Sequence, residues 1–381
     1  MFRNSVLIIP SLNPDESLIT YVRELIADGF TKIILVNDGS GPQSRLAFDT
    51  IGSWPECDLL VHTVNMGKGR SLKDAFNYYC QKYADHYAGV ITVDADGQHT
   101  REDVIRLDES LRGYKQTLIL GVRDFDDPSV PFKSSFGNKM TRQMMRLFIG
   151  GARLESPARH TKTISDTQTG LRAIPNGLLA DYLTLPGERF EYETNMLIEA
   201  LHEKTPLKEI PIQTVYVDDN RETHFRPIAD SAAIYGQIFA NFLKYTLASL
   251  SSFLLDYGIY SLLILLTAFL PIGPKIWLAA ASARILSSLY NYTVNKNVVF
   301  KSNIRQKNAL EKYFLLCAIQ LGCSACLVWF LCLHTILTEI PAKLMVDTFL
   351  FLISYHIQKN WVFQEQIQED RLVCAKELRK G

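Results

Sequence analysis

What this sequence lacks first is a surplus of charge of either sign. Lysine and arginine number 40, aspartate and glutamate also 40. A chain in balance has no basic field of the kind a general nucleic-acid binder needs, so nucleic acid is not an expected partner. Cysteine is sparse too: four of the seven, Cys317, Cys323, Cys326 and Cys332, lie in one apolar stretch, which is no disulfide framework. Cys323 and Cys326 have the spacing of a metal or redox pair. No second pair or histidine cluster completes it, and small residues commonly pack membrane helices. A Walker loop and a Gly-x-Gly-x-x-Gly fingerprint are both missing, which counts against ATP-type phosphoryl transfer and dinucleotide redox chemistry. Met1 to Pro10 holds no basic stretch followed by a long apolar one. The expectation is therefore no signal peptide and a first domain in the cytoplasm.

At 381 residues the chain is too long for one ordinary core. A mean hydropathy near zero hides a sharp division. To about Arg226 strand-like and helix-like segments alternate with ordinary polarity; from about Phe242 long apolar segments follow one another. Four transmembrane helices are expected, near Thr246 to Leu270, Ile276 to Asn297, Tyr313 to Leu337 and Leu344 to Val362. The second and fourth carry Arg284, Asn291, Asn295, Asp347, His356 and Asn360, polar groups to be turned toward a bundle interior or the interface. This gives a domain at 1–230, an amphipathic connector at 231–245, a membrane domain at 246–365 and a tail at 366–381. Lys301, Arg305, Lys307 and Lys312 in one loop, and Arg371, Lys376, Arg379 and Lys380 in the tail, put both termini on the cytoplasmic side of a multi-pass protein. A weak repeat agrees: Tyr292 to Phe300 reads like Tyr355 to Phe363, as two hairpins of like orientation would.

Chemistry concentrates in the first half. Val90 to Val93 is an apolar, β-branched run that ends in Asp94-Ala95-Asp96-Gly97-Gln98-His99. It reads as a buried parallel strand delivering carboxylates to its carboxyl end, where open α/β sheets bind ligands. Asp94 and Asp96 can offer oxygen to a hard divalent cation that takes further ligands from a diphosphate; an Asp-rich turn opening the next helix is the plainer alternative. Val6 to Pro10, Lys32 to Val36 and Leu59 to Val64 read as further strands, each running into a polar loop. Asp38, in Asn37-Asp38-Gly39-Ser40, suits a nucleobase or ribose. Lys68, in Asn65-Met66-Gly67-Lys68-Gly69, suits phosphate oxygens at a helix start. The fold class that follows is a doubly wound α/β sheet with a site along its carboxyl edge.

Ile9-Pro10, Asn37 to Ser40, Asn65 to Gly69 and Asp94 to His99, in that order and spacing, resemble glycosyltransferase family 2 with its GT-A fold, nearest the dolichyl-phosphate mannose synthases and bacterial polyprenyl-phosphate glycosyltransferases. The likeness covers about residues 5 to 230. Phe253-Leu-Leu-Asp256-Tyr-Gly and Asn291-Tyr-x-x-Asn295-Lys-x-x-Val-Phe300 resemble the GtrA-like membrane family of four helices. The resemblance implies inverting transfer of a hexose from a UDP- or GDP-linked sugar to a polyprenyl phosphate at the cytoplasmic membrane face. A diacylglycerol or polysaccharide acceptor, or a nucleotide-sugar-binding transporter component, are the alternatives. It implies Mg²⁺ or Mn²⁺ on Asp94, Asp96 and Gln98, and a donor bordered by Pro10, Leu12, Asn13, Asn37, Asp38, Gly67, Lys68, Asp94 and Ala95. Two positions depart from the family pattern, Leu12-Asn13-Pro14 for Tyr-Asn-Glu and Asn37-Asp38 for Asp-Asp. It further implies lipid-phosphate binding by Arg123, Lys133, Ser135, Arg142 and Arg172, with Asp96 and Arg123 catalytic alongside Asp166, which is either a base or an orienting group. A lipid monophosphate, with a second pKa of about 6, is already largely anionic at neutral pH and has little need of a base. Lys139, Arg142 and Arg146 alternate with apolar residues between Lys133 and Gly151, as in a helix lying in the headgroup layer. The membrane half would hold the acceptor, support a homo-oligomer, or move the glycolipid across the bilayer.

Overall fold

The computed structural model describes residues 3–125, 130, 132–150, 152–154, 164–213, 227–300, 309–335 and 338–363. The chain divides into two compact units, Met1–Ile238 and Phe239–Gly381.

The first unit is built on an eight-stranded sheet. Strands β1 (Ser5–Ser11), β2 (Ile33–Asp38), β3 (Cys57–His62) and β4 (Gly89–Thr92) lie parallel in the order β3-β2-β1-β4. Helices α1 (Ser17–Ala27), α2 (Arg45–Gly52) and α3 (Lys68–Lys82) make the crossovers. Val6 to Ile9 and Ile33 to Val36 are apolar at successive positions and wholly buried, as strands covered on both faces must be. Helix α4 (Arg101–Leu111) starts where Thr100 accepts the Asp103 N–H and where Glu102 and Asp103 meet the positive end of the helix.

Beyond β4 the sheet departs from the doubly wound parallel expectation and is mixed. Strands β5 (Leu118–Val122), β6 (Arg153–Leu154), β7 (Arg172–Pro175) and β8 (Pro206–Pro211) follow in the spatial order β7-β5-β8-β6. β7 runs antiparallel to both β4 and β5, with Arg172 opposite Thr92 and Leu120. Its first residue therefore sits at its neighbours' carboxyl ends. The segment leading into it, Ser165 to Leu171, is brought to the same edge as the Asp94–Asp96 loop. Helices α5 (Phe132–Phe148), α6 (Asn176–Leu183) and α7 (Glu191–His202) complete the unit. On α5, Asn138, Thr141, Met145 and Phe148 are buried, while Phe136, Lys139, Met140, Arg146 and Leu147 form an exposed stripe of mixed apolar and basic character.

Helix α8 (Pro227–Leu266) runs unbroken through the expected connector and most of the first expected span. Its 40 residues make it about 60 Å long. The second unit adds α9 (Ile272–Val294), α10 (Ala309–His334) and α11 (Glu339–Ile357). Residues Ser231–Leu266 and α10 are long and apolar enough to cross a bilayer. Among the described residues α9 and α11, which carry Arg284 and the Lys343–Asp347 ion pair, do not meet that measure. Both end in a single π turn, Asn295–Val299 and Gln358–Val362, at the same place in the two copies of the sequence repeat.

Candidate functional site

The carboxyl edge of the sheet gathers charge from four parts of the chain. Asp94 follows buried Val93, and its carboxylate meets Lys68 Nζ at 2.6 Å and His99 Nε2 at 3.3 Å. Lys68 in turn reaches Glu193 of α7 at 3.1 Å. Burial pushes the Asp94 carboxyl upward, but Lys68 and His99 outweigh it and hold the group well below the usual carboxylate range. Burial pushes Lys68 downward, and Asp94 with Glu193 outweigh that too, so its ammonium is held above its ordinary value. Asp96 lies at the exposed rim, accepting the Gln98 N–H at 3.1 Å. Partial loss of solvent and then the Asp94 charge raise its carboxyl.

Two glycines let the loop before α3 reach this place. Gly67 has φ +102°, and a Cβ there would come 2.3 Å from the Glu188 carbonyl; at Gly69 a Cβ would come 2.6 Å from Tyr192 Cβ. The segment that carries Glu193 therefore packs directly on the start of α3. Opposite it, a Cβ on Gly170 would stand 2.3 Å from Asp94 Oδ2, and Thr92 Oγ1 donates to the Gly170 carbonyl at 2.7 Å.

Asp38 is an internal organiser, only 4% exposed. It accepts the N–H groups of Met66 and Gly67, both at 2.8 Å, and holds His62 Nδ1 at 2.7 Å. His62 Nε2 faces Asp74 at 3.2 Å. Nothing in the residue pattern marks His62, because its partners become neighbours only when β3 pairs with β2. Because His62 holds Asp38, which the resemblance places beside a nucleotide donor, replacing His62 with Ala is expected to raise the KM for that donor about tenfold, the scale of one hydrogen bond to a charged group, with kcat little changed. Steady-state kinetics against donor concentration checks this, and an unchanged KM with a lowered kcat would contradict it.

Other expected donor contacts hold loops. Asn13, at φ +49°, accepts the Gly41 N–H at 2.8 Å and Gln43 Nε2 at 3.1 Å, and Asn37 accepts the Ser40 N–H at 2.9 Å. Pro10 and Leu12 are half-buried at the end of β1, and Ala95 packs on the core.

Asp166 is wholly buried and saturated. Arg123 grips it with Nε at 2.8 Å and Nη2 at 3.2 Å, and the N–H groups of Gln168 and Arg123 add bonds at 2.9 and 3.4 Å. The segment around it is fixed by Glu209, which accepts from Ser165 Oγ at 2.8 Å, and by Asn138, which accepts from Thr167 N at 3.0 Å. Four donors on one carboxylate leave little for a proton from a substrate. Of the two roles open for Asp166, these bonds fit the orienting one.

The described residues of the expected lipid-phosphate group lie on separate elements, Arg123 after β5, Ser135 and Arg142 on α5, and Arg172 at the head of β7. Arg172 is corrected outright: it is wholly buried, with Nε on the Thr169 carbonyl at 2.9 Å and Nη1 on the Glu193 carbonyl at 2.6 Å. At the head of a central strand its side chain is drawn inward, where it braces α7 against the Asp166 segment. Ser135 donates to the Phe125 carbonyl at 3.1 Å, and Arg142 is half-buried on α5. Lys133 lies outside the described side chains.

Comparison with known proteins falls into the same two parts. Residues 244–363 match the model of the family described as GtrA/DPMS, transmembrane domain. A UDP-N-acetylglucosamine–dolichyl-phosphate N-acetylglucosaminyltransferase of Methanococcus voltae is 24% identical over 230 residues, 56% of this chain and 86% of that one. Glycosyltransferase AglJ of Haloferax volcanii is 21% identical over 236 residues, 61% of this chain and 70% of that one. A crystal structure of GalNAc-T7 with UDP, GalNAc and Mn²⁺ aligns over 78% of this chain and 57% of that one, at 13% identity and a TM-score of 0.39, a likeness too slight to bear on the site.

Proposed function

We propose that this chain, a glycosyltransferase with a GtrA/DPMS transmembrane domain in its C-terminal part, transfers a hexose from a UDP- or GDP-linked sugar to the phosphate of a polyprenyl lipid. One observation carries the reading: the Gly170 segment lies against Asp94. Through it the carboxylates suited to a diphosphate and the Arg123–Asp166 pair suited to an anionic acceptor share one edge of the sheet.

Asp94 and Asp96 fit a hard divalent cation, Mg²⁺ or Mn²⁺. They offer oxygen only, and the charge that raises Asp96 is the charge a cation would relieve. No group of three His, Cys, Asp or Glu stands ready to hold a metal among the described residues, so the remaining ligands are donor phosphate and water. When bound, the ion would neutralise the departing nucleoside diphosphate. Lys68, at the first turn of α3, is placed to exchange a carboxylate partner for a phosphate oxygen. Asp166 holds Arg123 in a fixed orientation toward the acceptor phosphate. A lipid phosphate oxygen attacks the anomeric carbon as the bond to the diphosphate breaks, with inversion and no covalent enzyme intermediate. A neutral hydroxyl on a diacylglycerol or polysaccharide would need a free base, which saturated Asp166 does not supply.

The stripe of Phe136, Lys139, Met140, Arg146 and Leu147 on α5 suits the headgroup layer of an anionic leaflet. With it goes a topology of four spans, both termini and the catalytic unit cytoplasmic. The test is incubation of detergent-purified chain and Mn²⁺ with polyprenyl phosphate and each of a panel of radiolabelled nucleotide sugars. Label from one donor should enter an acid-labile lipid. Binding of donor with no label in lipid would remove the acceptor assignment.

A further inference from the structure

Both carboxylate oxygens of Asp94 are engaged, but not in the same way. Oδ2 accepts from His99 Nε2 at 3.3 Å and lies against the Gly170 backbone, where a Cβ would stand 2.3 Å away. Oδ1 meets Lys68 Nζ at 2.6 Å. The Oδ2 side is thus walled by backbone and a buried ring, while the Oδ1 side is covered by the end of a flexible lysine. A divalent cation and an ammonium repel each other, so they do not share one carboxylate oxygen. A cation that takes Oδ1 must displace Lys68.

Lys68 has a second seat. Its Nζ also meets Glu193 Oε2 at 3.1 Å, and the other oxygen, Glu193 Oε1, is buried with no hydrogen-bond partner among the described residues. A buried carboxylate oxygen without a donor is costly to leave so, and its presence in a native site calls for a reason. An ammonium carries three donors, enough to take both oxygens of Glu193 once it leaves Asp94. Glu193 itself is anchored. Arg172 Nη1 donates to its carbonyl at 2.6 Å, the Arg70 N–H donates to the Glu188 carbonyl at 3.0 Å, and that segment packs on Gly67 and Gly69. The four-carbon stem of Lys68 is left to make the adjustment. An ion pair serving only to join α3 to α7 would account for the contact at 3.1 Å. It would not account for the partnerless Oε1, or for the ammonium lying on Asp94 Oδ1.

We propose that Lys68 stands in the cation's place on Asp94 in the free chain, and that Glu193 is the positioning residue that receives it when the cation enters. The proposal rests on the divalent-cation reading of Asp94 and Asp96 above and goes beyond it. Glu193 then governs metal affinity without touching the metal.

The test is Mn²⁺ binding to the full-length, detergent-purified chain without nucleotide, read from the electron paramagnetic resonance of the free ion. Glu193→Gln leaves Lys68 with Asp94 as its one carboxylate and should weaken Mn²⁺ about tenfold, the scale of one hydrogen bond to a charged group. Lys68→Met combined with Glu193→Gln removes one charge of each sign, strands neither, and should bind Mn²⁺ about tenfold more tightly than wild type. In a Lys68→Met background, adding Glu193→Gln should change the affinity little. A carboxylate acting on the ion through space would instead weaken binding by the same factor with or without Lys68. That equal weakening, or a double variant no tighter than wild type, overturns the proposal. Asp96→Asn separates it from the reading beneath. Mn²⁺ lost in that variant but indifferent to Lys68 and Glu193 overturns the proposal alone. Mn²⁺ held at full strength by Asp96→Asn, or bound by none of these chains, removes the cation reading and the proposal together.

Discussion

Asp96→Asn is expected to lower kcat/KM for the nucleotide sugar by about 10²–10³-fold, the usual scale for removing one group that stabilises developing charge, with no change in thermal midpoint. The contrast within the pair is what makes this informative. Asp94 is tied to both Lys68 and His99, so its removal takes a partner from each, leaves Lys68 with Glu193 alone, and perturbs the fold along with the site. Asp96 lies at the exposed rim with one backbone N–H on it, so its replacement disturbs little besides a ligand. Turnover measured across a Mn²⁺ titration, beside circular dichroism, separates the two effects. If the Asp96→Asn chain kept full turnover at every metal concentration, Asp96 would be taken out of the reaction. Rescue of the same variant by high metal would place its role in affinity for the ion.

The second large effect is Asp166→Asn. Breaking a buried ion pair from one side costs about 3–5 kcal/mol, because the remaining charge has lost its counterion without regaining water. For a unit of this size that is a fall in thermal midpoint of roughly 10 °C. Arg123→Gln removes the other partner of the same bidentate contact, and the double variant should cost much less than the two singles combined. The catalytic readout divides the two roles for Asp166. An orienting carboxylate loses activity because Arg123 is misplaced, so Arg123→Gln should be as slow as Asp166→Asn and adding the second change should matter little. A catalytic base would leave Asp166→Asn far slower than Arg123→Gln, with a lost limb in the pH profile.

Much of the catalytic unit is legible in the residues alone. Val6 to Pro10, Lys32 to Val36 and Val90 to Val93 announce themselves as doubly covered strands because each run is dominated by apolar residues and ends in a turn. The motif loops had to fall on one edge once those strands were parallel. β7 is not legible: four residues, with arginine at the head and proline at the end, carry none of the periodicity of a strand. The fate of Arg172 is hidden with it, since a cation beside an Asp-rich segment reads as a surface group until the sheet closes around it. His62 and Glu193 escape for a related reason, their roles being set by partners distant in sequence. In the membrane unit the repeated Tyr-to-Phe motif is visible, but that its two copies touch each other follows only from the way the helices pack.

That contact has a consequence for how such a unit arises. A hairpin ending in an amide and an aromatic ring that pair with their own equivalents is self-complementary: two free copies could associate through the same surface that here joins the halves of one chain. Linking them covalently removes the requirement for identity. One half carries Asn295 and the other Gln358, one carries Asp256 and the other Ser324 at the matching depth. The repeat is therefore matched where its two copies touch, at Asn295 with Gln358 and Phe300 with Phe363, and differs away from that contact, where each half carries its own polar groups.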